Sequence, residues 1–273
     1  KSTLVEQFAK RSGARFLRIE GRRPDRTMTN ADELAAFAKQ LSDQCGCERM
    51  PPLDWSDAFR RLDRELNGKK TVVLLDEVSW LAHFDAAFPS DLKIAWDNLF
   101  KKHDRLILVL CGSVSSWIRD NIIDNSAFMG RRSLDIVMKD LSLRECVKFW
   151  GAAAERTDPR EIFDVLSVTG GVPRYLEEID PALSAAENIK KLAFAAQGVL
   201  RTDFDEMFTD VITRRPKFSS QVLRALVDGP KQASEIADAL GVEKSGNISV
   251  ALKQLEEAGF VATTGGRFAA QAT

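Results

Sequence analysis

Apolar and polar positions along the first half of the chain predict strands and helices in turn. The opening residues place apolar side chains at positions 4, 5 and 8, which is the spacing of one helical face. The run Thr71-Val-Val-Leu-Leu-Asp76 is almost wholly apolar, as is typical of a central parallel strand covered on both faces. Alternating signals of this kind favour an α/β fold, with helices on both faces of a parallel sheet. Further strands are predicted at 15–20, 105–111 and 133–139.

The second half of the chain has a different pattern. From Ser142 to about Arg215 it is helical, without a further strand. Beyond a short basic stretch with a proline, two helices at 230–240 and 245–258 precede a hairpin, which turns at Gly265-Gly266. Helices followed by a hairpin indicate a winged helix-turn-helix. The predicted domains are a core (1–140), a helical lid (141–215) and a winged helix (216–273).

Composition excludes some classes of function. The 273 residues carry a net charge of −1, so any attraction to nucleic acid must come from a local patch. No apolar run approaches the length of a membrane span, and no membrane association is expected. Cys45 and Cys47 are a lone pair with poor zinc spacing, and a reduced cytoplasmic setting fits the cysteine usage.

Two acidic residues, Asp76 and Glu77, end the central strand. Desolvating adjacent carboxylates is costly unless a cation or a reacting group meets them. In phosphate-handling folds the first acid holds Mg²⁺, and an acid beside it activates the attacking water. The alternative is a strand that simply ends in a polar loop.

The chain opens on Lys1-Ser2 and continues as an amphipathic helix. A phosphate-binding loop, Gly-x-x-x-x-Gly-Lys-Ser/Thr, ends in this way. We therefore expect the chain to be a fragment whose first strand and glycine loop precede Lys1. Because backbone N–H groups of that loop cradle the phosphates, the fragment is expected to bind ATP weakly.

Three phrases carry a resemblance to a known family: Leu75-Asp-Glu-Val-Ser-Trp80-Leu, Leu110-Cys-Gly-Ser113 with Ser116-Trp117, and Thr169-Gly-Gly-Val-Pro-Arg-Tyr-Leu176. With them, the chain resembles the archaeal-type P-loop ATPases, a branch of the AAA+-like and STAND NTPases, from residue 1 to about residue 270. The fold that this resemblance implies is a P-loop NTPase core with a three-layer parallel sheet, a helical lid and a C-terminal winged helix.

The resemblance also implies roles for residues of the core. Lys1, Ser2 and Thr3 end the Walker A motif and bind the nucleotide, with Lys1 on the β- and γ-phosphates and Ser2 on Mg²⁺. Asp76 and Glu77 form Walker B, as the metal-holding and water-activating residues. The implied ligands are ATP, as substrate, and Mg²⁺.

Other implied roles belong to residues further along the chain. Ser113 takes a sensor position that reads the γ-phosphate. Pro173 packs by the base, and Arg174 is close enough to be a second sensor. Arg131, in Met129-Gly-Arg131, matches an arginine that acts as a finger across a subunit boundary, although neighbouring Arg132 is an alternative.

Two functions remain open from the sequence. The first is an ATP-hydrolysing switch, and the second is a nucleotide-responsive DNA-binding regulator with little turnover. Residues 217–273 contain six basic and six acidic side chains, without the basic excess that drives DNA affinity. Polar residues nevertheless begin the second helix of the winged module: Lys244, Ser245, Asn247 and Ser249. The sequence thus leaves open whether the partner of the winged module is DNA or a protein. It also leaves the oligomeric state of the chain open.

Overall fold

The computed structural model describes residues 1–25, 27–112, 116–202, 216–242, 246–257 and 259–270. The chain divides into two compact units, Lys1–Ile136 and Val137–Thr273. Within the described ranges, no helix combines the length and the apolar character needed to cross a membrane.

A three-stranded parallel sheet forms the centre of the first unit. Its strands are β1 (Arg15–Glu20), β2 (Thr71–Asp76) and β3 (Leu106–Leu110), in the order β1-β2-β3. Every residue of β2 is buried, as predicted for a strand covered on both faces. The register aligns Glu20 with Asp76. Polar residues at the ends of β1 and β2 therefore meet at one edge of the sheet.

Helices cover this sheet, and their ends follow from local sequence. Thr29 and Asp32 form a capping box at the start of the second helix, and Gly46 ends that helix in the left-handed conformation (φ 71°). Asp54 caps the third helix by accepting a hydrogen bond from the amide of Asp57 at 2.7 Å. The helices of this unit are α1 (Ser2–Arg11), α2 (Asn30–Cys45), α3 (Trp55–Arg64), α4 (Val78–Leu81), α5 (Phe88–Asn98) and α6 (Ser116–Ile118). Shorter helical turns occupy Phe100–Lys102, Arg119–Ile123 and Ser126–Phe128.

Aromatic side chains fill the core of the first unit. Trp55 contacts Phe37, Phe59 and Phe88 with ring centroids 4.7–5.8 Å apart, and Phe100 extends the group. All five rings are almost completely buried. The contacts of Trp55 with Phe37 and Phe88 are edge-to-face. Such contacts add to the stabilisation from burial, so the cluster anchors α2, α3 and α5 against the sheet.

The predicted strand at 133–139 is wrong. This stretch is irregular and exposed, with Leu134, Ile136 and Val137 between 65% and 74% accessible. Among the described residues it pairs with none of the strands. A β-prone sequence becomes a strand only where a neighbouring edge takes up its backbone hydrogen bonds, and the local pattern does not reveal that edge.

The first part of the second unit is helical, as predicted. Its helices include α7 (Leu143–Cys146), α8 (Pro159–Thr169), α9 (Pro173–Leu176) and α10 (Ala185–Ile189), with helical turns at Val147–Glu155 and Lys190–Phe194. Between 137 and 202 no residue is in a strand. Cys146, Trp150 and Leu176 contribute to an apolar cluster of this part. The division into lid and winged helix at residue 215 stays a prediction.

The C-terminal part is a winged helix, as predicted. It contains α11 (Pro216–Ala225), α12 (Ala233–Leu240), α13 (Gly246–Glu257) and the antiparallel strands β4 (Val261–Thr264) and β5 (Arg267–Ala270). Lys231 pairs with Phe268 through two backbone hydrogen bonds of 2.9 and 2.8 Å. These helices enclose an apolar cluster of their own. Because the wing and the helices share that cluster, the module has its own core.

Candidate functional site

The end of β2 forms a sharp turn. Asp76 is buried, and Glu77 has left-handed backbone angles (φ 47°, ψ 52°), which are uncommon outside glycine. The amide of Glu77 donates to Asp76 Oδ1 at 3.2 Å, and the amide of Val78 donates to the carbonyl of Cys111 at 2.9 Å. A strained backbone of this kind persists only where its surroundings hold it, and such strain is concentrated at functional sites.

Gly21, the residue after β1, packs directly against this turn. A Cβ atom at Gly21 would lie 2.7 Å from the carbonyl oxygen of Glu77 and 2.7 Å from the amide nitrogen of Leu81. Both atoms belong to the backbone, so neither moves aside as a side chain does. The close approach of β1 to the Glu77 turn therefore requires glycine at position 21.

We predict that Gly21→Ala lowers the free energy of unfolding by about 1–3 kcal/mol, because overpacking against backbone forces a shift. Denaturant unfolding followed by circular dichroism measures this loss. Gly246→Ala is the matched control, since a Cβ there would meet no atom within 4 Å. Equal unfolding midpoints for Gly21→Ala and the unsubstituted protein would contradict the close approach.

Residues from the start of the chain meet the end of β2. Ser2 Oγ donates to Asp76 Oδ2 at 2.5 Å, and Lys1 Nζ donates to the carbonyl of Gly112 at 2.8 Å. The structure therefore brings Lys1, Ser2 and Asp76 together, while their roles in Walker A and Walker B stay a prediction. Thr3 is exposed on α1, and no hydrogen bond of the described residues joins it to Asp76.

Arg18 is a site residue that the sequence analysis missed. Its Nε and Nη2 atoms lie 3.0 and 2.8 Å from Asp76 Oδ2, and Nη2 is also 2.9 Å from Glu20 Oε2. A signal was present in the sequence, because Arg18 is a basic residue inside an otherwise apolar part of β1. Assigning it to the site required the pairing of β1 with β2, which the sequence alone did not supply.

The end of β3 contributes backbone and a thiol to the site. Burial, and then the charge of Asp76, raise the pKa of the Cys111 thiol to about 11. The thiol therefore stays protonated at neutral pH and does not act as a nucleophile. Ser113, the predicted sensor, lies outside the described residues, so its position stays a prediction.

The Ser2 and Asp76 oxygens suit a magnesium ion. Mg²⁺ prefers hard oxygen ligands, and sites beside substrate phosphates use few protein ligands because water and phosphate complete the shell. A hydroxyl and a carboxylate whose oxygens are 2.5 Å apart provide such ligands. Within the described ranges, no group of three or more His, Cys, Asp or Glu side chains is placed to hold a metal. The hydroxyl of Ser2 and the carboxylate of Asp76 thus fit a Mg²⁺ ion that substrate phosphates and water also hold.

Arg131, the predicted finger, is held within its own unit. Its Nε and Nη2 atoms each lie 2.9 Å from an oxygen of Asp97, and Nη1 donates to the carbonyl of Ala127. Hydrogen bonds from Arg131, and then from Lys93, hold the pKa of Asp97 well below its usual range. A role across a subunit boundary would require Arg131 to leave this pair.

The alternative residue, Arg132, is also engaged. Its Nη1 atom lies 2.6 Å from Asp135 Oδ2, and Nη2 donates to the carbonyl of Ile123 at 3.0 Å. The structure thus places neither arginine as a free cation, and the choice between them stays open.

The Gly-Gly-x-Pro phrase of the second unit has a structural basis. Gly170 adopts φ 57° and ψ −157°, and a Cβ at Gly171 would lie 2.4 Å from the carbonyl oxygen of Leu141. Both positions therefore require glycine. Pro173 then begins α9, and Arg174 is exposed on it. Because these residues belong to the second unit, their approach to the nucleotide stays a prediction.

Two parts of the chain each match the model of a known protein family. Residues 1–179 match the family described as an ATPase domain predominantly from Archaea. Residues 220–263 match the arsR family of bacterial regulatory proteins, a helix-turn-helix family, in agreement with the winged helix. No curated protein matches the chain.

Solved structures support the fold. The Walker-type ATPase PABY2304 of Pyrococcus abyssi is 17% identical, with a TM-score of 0.69, over 95% of this chain and 82% of that one. A RuvB variant of Thermotoga maritima is 16% identical (TM-score 0.44; 99% of this chain, 80% of that one). The Orc1 protein of Aeropyrum pernix, solved with DNA, is 17% identical (TM-score 0.38; 98% and 78%). Only the first likeness is strong enough to support the fold, which is that of a P-loop NTPase.

Proposed function

Since this chain belongs to the family of ATPase domains found predominantly in Archaea, we propose that it hydrolyses ATP at the end of β2 and uses the reaction as a switch. The contact that carries this proposal is the hydrogen bond from Ser2 to Asp76, which joins residues 74 positions apart. The hydroxyl and the carboxylate that Walker A and Walker B supply to a metal thereby meet. A strand that merely ends in a polar loop has no need of this contact.

Each residue of the site has a distinct part in the proposal. Lys1 contacts the β- and γ-phosphates and neutralises their charge. Ser2 and Asp76 would hold Mg²⁺, and the bound ion would neutralise phosphate charge. Glu77 accepts a proton from the attacking water, and its left-handed backbone sets the direction of its carboxylate.

Ser113, Arg131, Pro173 and Arg174 complete the proposed site. Ser113 and Arg174 read the state of the nucleotide, and Pro173 packs by the base. Arg131 acts as a finger on a neighbouring copy after it leaves Asp97. These roles follow from the family resemblance. In the proposed switch, the helical lid would move when ATP is hydrolysed, and this movement would be transmitted to the winged helix.

The test is phosphate release from Mg²⁺-ATP by protein in which a complete glycine-rich loop precedes Lys1. Sustained release supports the hydrolytic switch. Tight retention of nucleotide without release would favour a nucleotide-responsive regulator instead.

The winged helix supports DNA binding as a second candidate function. Asn247 and Ser249, at the start of α13, are exposed, whereas Ile248 between them is buried in the module's core. Recognition helices contact bases from this position. Lys244 and Ser245 lie outside the described residues. The equal numbers of basic and acidic side chains in residues 217–273 favour a docking surface over DNA by a small margin.

We predict that replacing Lys244 and Lys253 with Ala separates these roles. If the module binds DNA, the double variant flattens the slope of log affinity against log salt by about one unit per lost phosphate contact. If the module is a docking surface, duplex binding stays weak and unchanged, whereas deleting residues 217–273 alters nucleotide affinity or turnover. Gel-shift titrations at two salt concentrations, with and without ATP, measure the difference. Lys101→Ala with Lys102→Ala removes the same charge from the first unit and is the control.

A further inference from the structure

One oxygen of Asp76 accepts hydrogen bonds from two side chains, Ser2 and Arg18. Oδ2 lies 2.5 Å from Ser2 Oγ, 3.0 Å from Arg18 Nε and 2.8 Å from Arg18 Nη2. The other oxygen, Oδ1, accepts from the amide of Glu77. The carboxylate that is proposed to hold Mg²⁺ therefore already has a cation at one of its two oxygens.

The pair between Arg18 and Asp76 ends only when one of the two side chains moves. Two cations at one buried carboxylate oxygen repel each other, and that repulsion is large where water is excluded. The Asp76 side chain is only 4% exposed. Binding of Mg²⁺ at Asp76 and retention of Arg18 there are thus in competition.

A second carboxylate is placed to receive Arg18. Glu20 Oε2 lies 2.9 Å from the same Nη2 atom, and Glu20 is two residues along β1, on the same face of the strand. The side chains of Arg18 and Glu20 are 40% and 49% exposed, so a move toward Glu20 carries the guanidinium toward solvent.

Glu20 also faces a second feature of the first unit. It lines a groove of about 630 Å³ whose walls include Gly21, Arg22 and Trp80. Trp80 belongs to α4, the helix that follows Glu77. A change in the pairing of Glu20 therefore alters the charge distribution along this groove. Through Gly21 and Trp80 the same groove adjoins the Walker B turn.

We propose that Arg18 is the resident cation of the Walker B carboxylate and sets the Mg²⁺ dependence of nucleotide binding by moving from Asp76 to Glu20. This inference rests on the proposed function. Arg18 is a positioning residue, because it acts through Asp76. Its departure links occupation of the nucleotide site to the groove at the end of β1.

The test is a titration of Mg²⁺ at a fixed concentration of a fluorescent ATP analogue, followed by anisotropy, with a complete glycine-rich loop ahead of Lys1. Arg18→Gln removes the competing charge, so its Mg²⁺ midpoint falls by about fivefold, as expected when one partly exposed charge is removed. Glu20→Gln removes the receiving carboxylate, so its midpoint rises. In the Arg18→Gln background, Glu20→Gln has no further effect, because the two residues act on one step.

Two controls make this test specific. Arg64→Gln removes the same charge from an exposed position on α3 and leaves the midpoint unchanged. Arg18→Lys keeps a cation beside Asp76. Its Mg²⁺ midpoint should therefore differ less from that of the unsubstituted protein than the Arg18→Gln midpoint does. Thermal unfolding of each variant identifies any that fail to fold.

Two results would overturn the inference. An unchanged or raised midpoint in folded Arg18→Gln would show that Arg18 does not compete with Mg²⁺. Weaker nucleotide binding by Arg18→Gln at every Mg²⁺ concentration would show that Arg18 contacts the phosphates instead. Failure of the proposed function gives a different result, since nucleotide binding by the unsubstituted protein would then be independent of Mg²⁺.

Discussion

Glu77→Gln is expected to slow ATP turnover by about 10²-fold or more while leaving ATP binding intact. A glutamine has the shape of glutamate but does not accept the proton of the attacking water, and a lost general base has an effect of this size. Asp76 and Ser2, which hold Mg²⁺ in the proposal, are unchanged by the substitution. Steady-state phosphate release and equilibrium binding of ATP measure the two quantities separately.

The control for this variant is Glu48→Gln, which makes the same chemical change at an exposed position. Its turnover should equal that of the unsubstituted protein. Normal turnover in Glu77→Gln would remove Glu77 from the reaction. Loss of binding together with turnover would instead show that Glu77 acts on the nucleotide or its metal.

Trp55→Ala is expected to cost about 3–5 kcal/mol of folding free energy, because a large aromatic side chain leaves a cavity that the core cannot fill. Trp55 is fully buried and its ring lies 4.7 Å from that of Phe88. Its indole N–H donates to Asn30 Oδ1 at 3.2 Å, so the variant also removes a partner from Asn30. Chemical denaturation followed by circular dichroism measures the loss.

Two further variants serve as comparisons for the stability loss of Trp55→Ala. Trp55→Phe keeps most of the ring contacts and should lose less stability than Trp55→Ala. Trp96→Ala removes the same side chain from a half-buried position beside the cluster, and a smaller loss is expected there. Equal losses for Trp55→Ala and Trp96→Ala would contradict the central place of Trp55 in the core.

The sequence predicted the features that depend on local pattern. The apolar run of β2 identified a strand buried on both faces. The winged helix followed from two helices and a glycine turn, and Gly265 and Gly266 do occupy that turn with positive φ angles. In each case neighbouring residues along the chain contain the whole physical cause.

Features that depend on distant partners were not predicted. Residues 133–139 have the composition of a strand, but a strand also needs an edge to pair with, and that edge lies elsewhere in the chain. Arg18 belongs to the site only because the register of β1 against β2 brings its guanidinium to Asp76. The ion pair of Arg131 with Asp97 spans 34 residues and gives no local signal.

We propose that the end of β2 is a magnesium-dependent nucleotide site. The most direct measurement is ATP binding as a function of Mg²⁺ concentration in Asp76→Asn and in the unsubstituted protein, each with a complete glycine-rich loop ahead of Lys1. Asparagine keeps the shape of Asp76 but removes the charge that attracts the metal. We predict that Mg²⁺ strengthens ATP binding by the unsubstituted protein and has little effect on Asp76→Asn. Equal Mg²⁺ dependence in the two proteins would contradict the claim.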